Sequence, residues 1–327
     1  MMHANVETAP KSRTTFMKLL IRYRTLVILI VLMTVFSLLR PVFIDPKNLL
    51  AILKNMSYVL VVGLGMTFII TLGGLDLSVG SIAAVVGVTF AMLVRGGTMA
   101  PIPALLIVLV LSMLLGFFNG FVSVKGKIEP FLVTLATMNI YRGLALTLTK
   151  GKPVPIVIPH FADIFGNGRL FGVIPTPVII SLVIFAISWF VYTQTKFGFF
   201  VRSIGGNQEA SRVAGIEISK VKLAAYTMSG VYAFISGLIL AALMNSGLPD
   251  AGRDLALDAI SGVILGGTAL LGGVGTMWGT LGGCLIIASL NNGMSLLGAQ
   301  YHVQILVKGL VIIFAVLMDN AFKSRQR

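Results

Sequence analysis

The 327-residue chain is 57% hydrophobic and 11% charged, with a mean hydropathy of +0.97, whereas soluble domains carry about 25% charged residues. So little polar surface all but excludes a soluble enzyme, and lipid is the expected solvent for most of the chain. The net charge of +14 falls in clusters between apolar runs, as in membrane loops, and lacks the basic helix or aromatic platform of a nucleic-acid surface.

A charge at the centre of a span costs about 2.5–3.5 kcal/mol on insertion scales, so spans are read between charges. Residues 1–24 are expected to be a cytoplasmic segment. A retained first helix follows at 25–39, extended backward by Leu19, Leu20 and Ile21, with Arg22 and Arg24 snorkelling. No small-residue cleavage site follows this run, which argues against a signal peptide. Uncharged runs predict single spans within 55–75, 77–94, 96–124, 170–195 and 223–249, and two within 259–307. Two further spans tolerate a charge: 131–149 with Arg142, and 303–318 with Lys308. The expected fold is an all-α integral membrane protein of about ten transmembrane helices within residues 25–319, followed by a cytoplasmic tail at 320–327. An inside N-terminus puts 15 Lys and Arg inside against seven outside, which predicts N-in and C-in.

Between the second and third spans an acid (Asp76), two hydroxyls (Ser78, Ser81) and three glycines (Gly73, Gly74, Gly80) interrupt the apolar pattern. Such breaks survive in lipid where the backbone is buried in protein or lines a wet cavity, and they point to transport paths. Asp76 or Ser78 capping the third helix is the equally simple reading. Asn119 and the pair Asn291 and Asn292 read either as interhelical hydrogen-bond formers or as path lining. The candidate substrate path is therefore Asp76, Ser78, Ser81, Asn119, Asn291 and Asn292. Glu129 before Pro130 reads as the cap of the fifth span. Arg142 and Lys308 call for partners within the fold that the sequence does not name. The motif at 72–74 is echoed 199 residues later at 271–273, which carries little weight in a chain with 36 glycines. One cysteine, Cys284, forms no internal disulfide, and His3, His160 and His302 are too scattered for a metal site, so neither a metal nor a catalytic residue is expected.

The cytoplasmic segment 195–222 holds Asn207 as an N-cap, two turns of helix from Gln208 to Ala214, and Gly215 as a C-cap. A short capped amphipathic helix exposed to the cytoplasm suits docking to a partner; a solvated loop holding positive-inside charge is the plainer alternative.

An ordered set of motifs over about residues 50–320 resembles the permease subunit of ribose-type bacterial ABC importers for monosaccharides. It comprises Gly65-Met66-Thr67, residues 73–81, Asn119-Gly120, residues 131–135 and Arg142-Gly143. Downstream it continues through Gly205-Gly206-Asn207 with Ala210, Arg212 and Gly215-Ile216, then residues 257–260, Gly266-Gly267-Thr268, Gly272-Gly273, Asn291-Asn292-Gly293 and residues 307–310. The resemblance implies a type II ABC importer-like fold in the inner membrane and a dimer, most simply a homodimer. It assigns coupling to an ATPase to Gly205, Gly206, Asn207, Glu209, Arg212 and Gly215. Its implied partners are a cytoplasmic ABC ATPase and a periplasmic sugar-binding protein. The chain has no Gly-x-x-x-x-Gly-Lys-[Ser/Thr] phosphate loop, so ATP is expected on the partner and no cofactor on this transport subunit. A proton-coupled secondary transporter carrying its proton on Asp76 or Glu129, and a passive channel, are the alternatives; the coupling-like loop argues against both. The sugar stays open.

Overall fold

The computed structural model describes residues 24–324. The readings on residues 1–23, including the backward extension through Ile21, and on 325–327 lie outside the described residues. The helices, in chain order, are α1 Arg24–Leu39, α2 Pro46–Thr71, α3 Val79–Val94, α4 Pro101–Gly126, α5 Pro130–Thr149, α6 Phe161–Phe165 and α7 Thr176–Gln194. They continue with α8 Lys196–Gly206, α9 Gln208–Val213, α10 Ile218–Leu243, α11 Leu255–Leu265, α12 Met277–Leu296 and α13 Tyr301–Ser324. Among the described residues strands occur only as two-residue pairs, β1 Val154–Pro155 with β4 Ser246–Gly247 and β2 Arg169–Leu170 with β3 Ile174–Pro175. The all-α expectation therefore holds.

Proline at the first helical turn sets the start of α2, α4 and α5, where its missing N–H costs no helical hydrogen bond. Asp45 caps α2 by accepting the Lys47 N–H at 2.8 Å. Six helices (α2, α3, α4, α5, α7 and α10) are long and apolar enough to cross a membrane, while α1 and α11 are shorter apolar helices. Helices α2 and α3 are apolar on nearly every side and are accordingly buried on nearly every side. Helix α10 packs along α2, α3 and α4, and α12 packs on α2 and α11. Helix α4 turns Leu106, Val110, Leu114, Phe117 and Phe121 outward, an apolar face that suits lipid.

One end of the bundle gathers the start of α1, the α2–α3, α4–α5 and α11–α12 turns, and the segment α8–α9. Thr25 at the start of α1 donates to the carbonyl of Leu265 at the end of α11. The opposite end gathers the β1–β4 pair and the α5–α7 connection, where Lys54 donates to Asn167.

Three boundaries differ from the sequence reading. Helix α11 begins at Leu255, ahead of the uncharged run at 259–307, because Asp258 on its first turn is neutralised by Lys308 and no longer marks a helix limit. The run 170–195 opens as a strand turn, and its helix starts only at Thr176, after Pro175. Within 195–222 the basic, Gly-rich stretch before Asn207 is itself helical as α8.

Candidate functional site

At the end of α7, Thr195 accepts the Gly198 N–H at 3.4 Å and so starts α8. Val201 and Ile204 of α8 are buried, and Arg202 donates to the Tyr192 carbonyl with its guanidinium 5.0 Å from the Tyr192 ring. The chain then turns at Asn207, whose side chain accepts the Ala210 N–H at 2.9 Å and caps α9. Gly215, at φ +82°, ends the element, with Ile216 N–H returning to Ser211 O at 3.0 Å. Both caps are those expected from sequence. Gly205 and Gly206, however, close α8 and are not part of the capped helix. Glu209 and Arg212 pair with each other at 2.7 Å, both largely exposed. Val213 is 89% exposed, a bare apolar tip that charge-based reading passed over.

Gly205 lies against the end of α2 so closely that a Cβ would collide with the Thr71 carbonyl oxygen. That same oxygen accepts the Gly273 N–H at 2.9 Å. Gly73 and Gly272, at φ +79° and +90°, supply the left-handed turns that bring these backbones together. The echoed motifs at 72–74 and 271–273, given little weight in the sequence, are thus neighbours in space and both abut α8. Between α9 and the α4–α5 turn lies a cleft of about 760 Å³, lined in part by Lys127, Glu129, Gln208, Arg212, Glu217 and Lys222. Glu129 occupies the N-cap position of α5 without a side-chain capping bond.

Deeper at this end, Asp76 has no exposed surface. Its Oδ1 accepts Ser78 N–H at 3.0 Å and Ser78 Oγ–H at 2.6 Å, and its Oδ2 accepts Ser229 Oγ–H at 2.7 Å. Asn119 donates to Ser78 Oγ at 2.7 Å, and Tyr141 O–H donates to Asn119 Oδ1 at 3.1 Å. One connected group thus joins the start of α3 to α4, α5 and α10. Ser78 stands at the N-cap position of α3 but makes no side-chain capping bond, and Asp76 bonds Ser78 itself and no helical N–H. Ser81 is buried nearby, and its hydroxyl has no protein partner.

Asn291 and Asn292 lie elsewhere. Asn291 donates to Asp258 Oδ2 at 3.2 Å, and Asn292 exchanges amide hydrogen bonds with Asn48 at 3.0 Å. Lys308 lies 3.0 Å from Asp258 and 3.6 Å from Asp254. Arg142 donates to the carbonyls of Pro249 and Ala251 at 2.5 and 2.8 Å. Both cations expected within spans therefore have partners, one a pair of carboxylates and the other bare backbone. The six path candidates form two groups, an enclosed one around Asp76 and an open one around Asn291. Tyr141, Ser229 and Asp254 were not singled out from sequence, because each is joined to its group only by tertiary contact, and Asp258 entered only as part of the motif at 257–260.

The family described as "Branched-chain amino acid transport system / permease component" matches residues 48–316. The ribose import permease protein of Haemophilus influenzae is 38% identical over 315 residues, covering 94% of this chain and 96% of the relative. That of Bacillus subtilis is 40% identical over 293 residues, covering 89% and 90%. The L-arabinose ABC transporter permease protein of Azospirillum brasilense is 32% identical over 317 residues, covering 97% and 93%. No solved structure matches the chain.

Proposed function

Because the chain belongs to the family of branched-chain amino acid transport system permease components and matches ribose and arabinose permeases almost end to end, we propose that it is the membrane permease subunit of an ABC importer for a ribose-type monosaccharide. It is a transport subunit and not an enzyme. Hydrolysis belongs to a separate ATPase, and the substrate arrives on a separate sugar-binding protein.

In this reading ten helices, all but α6, α8 and α9, build the membrane domain, with the eleven-residue α11 reaching only partway across, both termini are cytoplasmic, and two copies of the chain enclose the path. Helix α9 seats in a cleft of the ATPase, with Asn207 and Gly215 fixing its ends and Glu209, Arg212 and Val213 presented outward. The observation that carries the reading is the wedge of Gly205 between Thr71 and Gly273. A push on α9 travels through α8 to the ends of α2 and α11, whose turns close the bundle at that end. The Asp76 group ties the start of α3 to three other helices, so that this part moves as one body. The path runs past the Asp76 turn and past Asn291 and Asn292, with loose contacts suited to release.

The test is reconstitution of the chain with its ATPase and binding protein in proteoliposomes. ATP-dependent uptake of ribose or a related pentose is expected. Uptake driven by a proton gradient without ATPase would overturn the reading. The three hydroxyl or amide donors that bond the Asp76 carboxylate speak against a proton carrier there.

A further inference from the structure

The end of the bundle remote from α9 carries a cleft of about 380 Å³ between α2, α10, α11, α12 and α13. That is the small end of the range of ligand pockets, about 300–1,000 Å³. Its floor reaches Tyr58 on α2, twelve residues past the helix start at Pro46, which corresponds to about 18 Å of helix at 1.5 Å per residue. The cleft therefore enters the bundle. The wall includes Asp254, Asp258, Asn291, Asn292, Gln304 and Lys308.

The chemistry of this wall is selective. Lys308 is already neutralised, 3.0 Å from Asp258 and 3.6 Å from Asp254. An ammonium group standing between the carboxylates takes the place a metal cation would need. Asp254 keeps one oxygen free, since Oδ2 takes the Tyr301 O–H at 3.0 Å and also lies nearest Lys308. Asn291 Oδ1, in the same wall, is buried and has no hydrogen-bond partner, a second acceptor left unsatisfied beside the free Asp254 oxygen. Free carboxylate and amide acceptors beside a fixed ammonium donor match a neutral polyol, whose neighbouring hydroxyls both donate and accept.

We propose that this cleft is a low-affinity receiving site for the sugar, with Asp254 and Asn291 as hydroxyl acceptors and Lys308 as donor, held in place by Asp258. The proposal deepens the permease reading and rests on it.

Cys284 is fully buried and is the only cysteine, so a single exposed cysteine placed on the rim can be labelled alone. Asn55 lines the cleft and is exposed. In Asn55→Cys, labelling by a membrane-impermeant maleimide is measured with and without ribose, using glycine betaine at equal osmolality as the control. Ribose is expected to slow labelling severalfold and betaine to leave it unchanged. Adding Asp254→Ala, or separately Asn291→Ala, should remove the ribose effect while leaving the ribose-free rate the same. Equal slowing by ribose and betaine, or protection that persists in both double variants, overturns the proposal. A second reporter, Ser295→Cys, repeats the measurement if Asn55→Cys does not assemble. Wild-type complex that takes up ribose while neither reporter is protected refutes the receiving site alone; absence of any ATP-driven pentose uptake refutes the permease reading beneath it.

Discussion

The backbone N–H of Gly273 donates to the carbonyl oxygen of Thr71 at 2.9 Å, so the turn after α11 is pinned to the last residue of α2. The remaining approach is filled by Gly205 of α8, and what a Cβ would meet there is backbone. Flexible side chains can yield to an added methyl, whereas a peptide group held by its own hydrogen bond cannot. Gly205→Val is therefore expected to pry the junction apart at a cost of about 1–3 kcal/mol, the range for overpacking. Gly206→Ala meets nothing within 4 Å and should leave the melting temperature in detergent unchanged. Equal stability of the two variants would show that the junction is not tightly packed.

Val213 tests docking without touching the permease's own packing. It is 89% exposed, so Val213→Asp should change stability by no more than about 0.5 kcal/mol. In the assembled importer the new carboxylate would have to be buried against the ATPase or repel it. Binding-protein-stimulated ATP hydrolysis and uptake should both fall at least tenfold, with the permease still folded. Undiminished uptake would remove α9 from the coupling interface.

Asp76 should matter by position. Among the described residues no Lys, Arg or His contacts it; its partners are the Ser78 N–H and the hydroxyls of Ser78 and Ser229. Asparagine keeps the acceptor facing Ser78, and Ser229 can turn its hydroxyl to accept from the new amide. Leucine leaves buried donors unpaired, at about 1–3 kcal/mol for each group. Transport in Asp76→Asn should therefore stay near wild type and be lost in Asp76→Leu. Equal loss in both would favour a titrating carboxylate.

Much of this was legible from local chemistry. The caps at Asn207 and Gly215, the break at 72–81 and most spans follow from residue types at fixed offsets. Helix α8 was not legible, because Gly198, Gly205 and Gly206 lower its helix propensity and its hold on the bundle comes from tertiary contacts, the packing of Val201 and Ile204 and the bond from Arg202 to Tyr192. The pairing of Asp258 with Lys308 escaped notice for a different reason. Reading spans between charges treats every carboxylate as a boundary, and a carboxylate paired with a lysine fifty residues away is invisible to that rule.

That pair yields the last prediction. The Lys308 and Asp258 side chains are 16% and 11% exposed, dry enough that removing one partner strands the other. Lys308→Met leaves Asp258 beside Asp254 with no cation between them, and losses on breaking buried pairs run to about 3–5 kcal/mol. Asp258→Asn is milder, because Lys308 retains Asp254 at 3.6 Å and the new amide oxygen can still accept from Asn291. The double variant removes the stranded charge on Asp258 and leaves only Asp254, which is 29% exposed and can be hydrated. The expected order of melting temperature is wild type, then Asp258→Asn, then the double variant, with Lys308→Met lowest. The double-mutant cycle should show a favourable coupling between the two sites. Additive losses would mean that the lysine is held by something other than its carboxylate neighbours, and the wall of the cleft would have to be assigned anew.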